Sequence, residues 1–166
     1  MGSADIAGNL GVTGNITVKG SVNVGGDLGV TGNLTVTGLT NVQDIIVNGH
    51  IITANSKAAT KATTSVAAVA AACTTGTPAV TMTGNDTAGT VTITTGTGVC
   101  SVTGALASIT FATAYGTAPA VTLTPANAAA ASLQYYYSSD TTTMTLNTSV
   151  KPAASTTYSY SYHVIQ

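Results

Sequence analysis

Glycine recurs at every sixth position from Gly8 through Gly14, Gly20, Gly26 and Gly32 to Gly38, and few folds accommodate so regular a spacing. Between the glycines the apolar residues come as spaced pairs: Leu10/Val12, Ile16/Val18, Val22/Val24, Leu28/Val30 and Leu34/Val36. Residues i and i+2 of a strand share a face, so each hexad presents two side chains on one side before it turns. Strand and turn alternating at a fixed period is the pattern of a β-solenoid, in which each unit stacks on its neighbours. Glycine followed by Asn, Ser or Asp, as in Gly14-Asn15, Gly20-Ser21, Gly26-Asp27 and Gly32-Asn33, predicts a corner where a positive φ is tolerated.

Leu10 to Asn15 recurs letter for letter as Leu28 to Asn33, three hexads later. If three hexads make one triangular coil, residues 6–52 supply fewer than three coils, at or below the minimum for such a stack. Three associated chains would share one apolar interior and leave no strand edges open, so the sequence predicts a homotrimeric shaft. A left-handed β-helix of the hexapeptide acyltransferase class has the same period. It needs many coils and a histidine in a subunit groove, whereas here the register decays near Asp44 and His50 follows the turn dipeptide Asn48-Gly49.

Charged residues make up only 5% of the 166, with no Arg and no Glu, and abundant Thr and Val suit pleated surfaces, so an all-β protein is expected. A net charge of −1, with lysines scattered at Lys19, Lys57, Lys61 and Lys151, gives no footprint for a phosphate backbone, so no nucleic-acid partner is expected. No apolar run reaches the roughly 20 residues of a membrane span, and Met1-Gly2-Ser3 lacks the features of a signal peptide; no membrane insertion is expected. The chain divides into a repeat shaft at 1–53, an Ala/Thr-rich neck at 54–77, read as a short helix or an irregular connection, and a head at 78–166.

In the head, seven short strands are predicted at Ala79–Thr83, Thr90–Thr95, Ala105–Ala112, Ala120–Thr124, Leu133–Ser138, Thr143–Thr148 and Thr157–Ile165, separated by turn signals such as Gly84-Asn85-Asp86 and Ser139-Asp140. Seven strands in this length imply an antiparallel β-sandwich. The last alternates Tyr158, Tyr160, Tyr162 and Val164 with Ser159, Ser161 and His163, which predicts one buried and one polar face. Tyr135, Tyr136 and Tyr137 cannot all face the core, so Tyr136 should oppose its neighbours, toward either a subunit interface or a ligand.

Val12-Thr-Gly-Asn-Ile-Thr-Val18 and Gly32-Asn-Leu-Thr-Val-Thr-Gly38 resemble the short GNLTV-type repeats of phage tail fibres and related trimeric fibres. The segment Ile109 to Asn127 and the ending Tyr158 to Gln166 look like the tip domains of such fibres. The phrase Phe111-x-x-x-Tyr115-x-x-x-Pro119-x-Val121 is also similar to the strand-turn-strand of H-type lectins, which are trimeric sugar binders. The resemblance implies a virion or extracellular location and host-surface attachment through a glycan or other receptor. It brings no catalytic motif.

Aromatic faces pack on the apolar faces of sugars, so Tyr136, Tyr115, Asn127 and His163 are the candidate ligand-binding residues. Alternatives are a purely structural fibre or virion decoration and a polysaccharide-degrading tailspike-type enzyme. The enzyme reading is disfavoured: Asp86 and Asp140, the head's two carboxylates, both sit in turn contexts, and no nucleophile elbow frames any Ser. His50, His163, Cys73 and Cys100 have no close zinc-ligand spacing, so no metal site among these side chains and no cofactor is expected, while oxygen ligands from three chains could still meet an ion on a trimer axis. Cys73 and Cys100 are either a disulfide tying neck to head or two free thiols.

Overall fold

In a computed structural model the described residues are 6–48, 65–68, 72–73, 76–100 and 103–166. The chain separates into two compact units, Met1–Ile46 and Val47–Gln166.

In the first unit the chain bends once per hexad, at Ala7-Gly8, Thr13-Gly14, Lys19-Gly20, Gly25-Gly26, Thr31-Gly32 and Thr37-Gly38. The period of the sequence is therefore a period of the chain path. Two expectations are nevertheless unmet. The described residues of this unit contain no strand and no buried side chain, so one chain encloses no solenoid interior. Nor do the hexad glycines turn in the left-handed region, because the described glycines with positive φ are Gly76, Gly84 and Gly104, all in the second unit. Exposure of the apolar pairs is itself periodic: Leu10, Ile16, Val22, Leu28 and Leu34 are 65–69% exposed, and Val12, Val18, Val24, Val30 and Val36 are 45–51% exposed.

The described elements of the second unit are β1 (Ser65–Ala68), β2 (Ala79–Gly84), β3 (Ala88–Thr94), β4 (Gly104–Thr110), β5 (Ala120–Pro125), α1 (Ala128–Ser132), β6 (Tyr135–Ser139), β7 (Thr143–Thr148) and β8 (Thr157–Ile165). All seven expected head strands are present, and β7 and β8 keep their expected bounds. They form two four-stranded antiparallel sheets, ordered β1-β4-β7-β6 and β2-β3-β8-β5. β1 comes from the segment read as neck. It pairs with β4, Ser65 opposite Thr110 and Ala68 opposite Ala107, so a sheet edge overrides the helix preference of an alanine-rich run.

Both sheets contribute to one apolar core. Val91 and Ile93 of β3 and Tyr158, Tyr160, Tyr162 and Val164 of β8 meet Leu106 and Ile109 of β4 and Met144 and Leu146 of β7. The alternation expected of β8 holds, with all three tyrosines buried and His163 exposed. Buried phenols need partners: the Tyr162 hydroxyl donates to the Asn85 carbonyl at 2.7 Å, and the Tyr158 oxygen accepts from the Ala153 amide at 2.8 Å. Burial raises the phenols of Tyr160 and Tyr162, the latter to about 12 with a further contribution from the Asp86 charge. Gly89 makes room for the Tyr162 contact, because a Cβ there would lie 2.6 Å from the Tyr162 hydroxyl oxygen.

Cys73 and Cys100 form a disulfide with Cα atoms 4.5 Å apart, joining the chain ahead of β2 to the β3–β4 connection. Beside it the Gly96 amide donates to the Ala72 carbonyl at 3.0 Å. Cys73 holds φ at 64°, a left-handed conformation unfavourable to a residue with a Cβ.

Candidate functional site

β5 is an edge of one sheet and β6 an edge of the other. An open edge exposes backbone groups in need of partners. Every second residue of the Tyr135–Ser139 segment turns a hydroxyl to the β5 edge. Tyr135 donates to the Leu123 carbonyl at 3.4 Å, Tyr137 accepts from the Val121 amide at 3.4 Å, and Ser139 donates to the Pro119 carbonyl at 2.9 Å. The Tyr135 ring also packs on Tyr160, centroids 4.9 Å apart and planes inclined by 60°.

Tyr136, one residue out of phase, lies opposite Asn147 of β7 and is 50% exposed, while Tyr137 is 40% exposed. The expectation that Tyr136 opposes its neighbours therefore holds. The two edges enclose a groove of about 420 Å³ lined by Val121, Thr122, Leu123 and the three tyrosines. Its lining contains no charged side chain. Such a site offers aromatic faces, a threonine hydroxyl and apolar walls; it offers no acid, base or nucleophile pair.

The other sequence-picked residues do not converge on this groove as a set. Tyr115 donates its hydroxyl to the Asp86 carbonyl at 2.8 Å, packs edge-on against Phe111 at 4.9 Å, and has its phenol raised by burial and then by the Asp86 charge. Asn127 caps α1: its side-chain oxygen accepts from the Ala130 amide at 2.9 Å while its nitrogen donates to the Thr157 carbonyl at 2.9 Å. Those contacts give both residues a structural role. Exposed His163 stands opposite Thr122, one of the groove residues, in the β5–β8 pairing.

The α1 cap was readable as Asn ahead of an alanine run, a standard helix-start signal. Ser139 was not legible as an edge cap, because its partner Pro119 is 20 residues away.

The head carboxylates stand apart from the groove lining. Asp86 accepts from the Ala112 and Thr113 amides at 2.7 and 2.9 Å. Asp140 accepts from the amides and hydroxyls of Thr142 and Thr143, all within 2.8 Å, and these bonds lower its carboxyl to about 2. Among the described residues no group of three or more His, Cys, Asp or Glu could hold a metal, and no helix is long and apolar enough to cross a membrane. His50, Lys57 and Lys61 lie outside the described residues. No protein-family model, curated protein or solved structure matches the chain.

Proposed function

We propose that the protein is a non-enzymatic, homotrimeric fibre component, similar to a phage tail fibre, that attaches to a host-surface glycan through its C-terminal head. The observation that carries this reading is the periodic exposure of ten apolar side chains between Leu10 and Val36. Full burial of a Val, Leu or Ile side chain removes about 60–120 Å² from water, so the pairs offer about 500 Å² per chain and roughly 1,500 Å² among three. Shared over the three pairwise contacts of a trimer this is about 500 Å² each, so the pairs supply part of a standard interface of about 1,200–2,000 Å².

Recognition falls to the head, where two half-exposed tyrosines border an uncharged groove. Three such sites on one fibre would be weak singly and strong together through linkage. The test is a light-scattering mass of the full chain followed by a glycan array with wild type and Tyr137→Ala. The reading expects three chains and a set of glycans whose retention falls at least tenfold in the variant. A monomeric mass refutes the fibre, and a blank array refutes attachment to glycans. The edge-capping duty of Tyr135 and Tyr137 favours a second reading, a structural fibre whose head binds nothing, and this reading predicts the blank array.

A further inference from the structure

Glycine is demanded where the backbone enters the left-handed region or where another group comes too close for a Cβ. At Gly8, Gly14, Gly20, Gly26, Gly32 and Gly38 the chain itself supplies neither reason. None has a positive φ, and a Cβ built on any of them meets nothing within 4 Å. Glycine also loses more conformational freedom on ordering than any other residue, so a strict clock of six is a cost that one chain never recovers.

From this we infer that the hexad glycines are the points at which the backbones of two further copies of this chain pass in van der Waals contact. The inference rests on the trimeric fibre reading and adds to it which positions set the distance between chains. Copies of the same chain suit the strip for three reasons. Its hexads bend at the same two positions and expose their apolar pairs to the same degree, so a hexad of one chain can face any hexad of another. Its charged residues within 6–46 are limited to Lys19, Asp27 and Asp44, leaving little repulsion between copies. Its ten apolar side chains are all left exposed by the single chain, and matching pairs on another copy would cover them. The logic is that of collagen, where a periodic glycine is kept because only glycine fits between crowded chains.

The experiment compares full-length wild type, Gly20→Ala, the double variant Gly20→Ala/Gly32→Ala, and Asn15→Ala as a control at an exposed non-glycine position. Sedimentation and light scattering across a dilution series give mass and dissociation midpoint, and near-ultraviolet circular dichroism of the tyrosines reports whether the head is folded. Wild type and control should be trimers with matching midpoints. Gly20→Ala should dissociate at a concentration at least tenfold higher, and the double variant should be monomeric with an unchanged head spectrum. If wild type is monomeric, the fibre reading falls and this inference with it. If wild type and both glycine variants are trimers with the same midpoint, the fibre reading stands and the role given to the glycines is wrong.

Discussion

Removing the Cys73–Cys100 disulfide should destabilise the head by an amount that follows from its loop. The two residues are 27 positions apart. The loop-closure relation gives an entropy of about 12 cal/mol/K for that length, or roughly 3.5 kcal/mol at 25 °C. Against a domain stability of about 5–15 kcal/mol this is a large fraction. For a unit the size of Val47–Gln166 it corresponds to a drop in Tm on the order of 10–15 °C. The assay is urea unfolding of full-length wild type and Cys73→Ala/Cys100→Ala at one fixed chain concentration, followed by tyrosine fluorescence, since the chain has no Trp. A second variant separates backbone from cross-link: Cys73→Gly/Cys100→Ala should recover up to about 1 kcal/mol over the double alanine, because Cys73 occupies a left-handed φ of 64° that glycine adopts without strain. A midpoint shift worth under about 1 kcal/mol for the double alanine, with m unchanged, would refute the loop-closure reasoning.

Gly89→Ala should cost about 1–3 kcal/mol, because the new methyl collides with the Tyr162 phenol and the β2 backbone; thermal melts of wild type and variant at one chain concentration check it. Asn127→Ala should cost about 1 kcal/mol through loss of the α1 cap while leaving glycan retention unchanged, and a loss of binding without loss of stability would return Asn127 to the ligand site. Tyr162 has a folded pKa raised above its unfolded value near 10, so its contribution is complete below pH 10 and disappears as pH rises toward 12. The head Tm measured from pH 9 to 12 should therefore fall steeply above pH 10, and a flat profile would count against burial of that phenol.

Local patterns were legible because they are written in neighbouring residues. The alternation of Tyr158, Tyr160, Tyr162 and Val164 fixed which face of β8 is buried, and the parity of Tyr135 to Tyr137 fixed which ring would stand apart. Turn residues placed the strands of the head to within a few positions. The six-residue clock was equally plain, and the chain does bend at that period.

Tertiary structure alone decided what those patterns serve. It closed Cys73 on Cys100, recruited Ser65–Ala68 to the open edge of β4, and brought the β5 and β6 edges together into the tyrosine groove. It also gave the Tyr115 hydroxyl a partner in Asp86 and the Asn127 side-chain nitrogen one in Thr157, 29 and 30 residues distant. Period and parity are properties of a local backbone and survive in a string of letters. Which edge meets which, and which hydroxyl finds which carbonyl, depends on contacts between distant segments that no local pattern encodes.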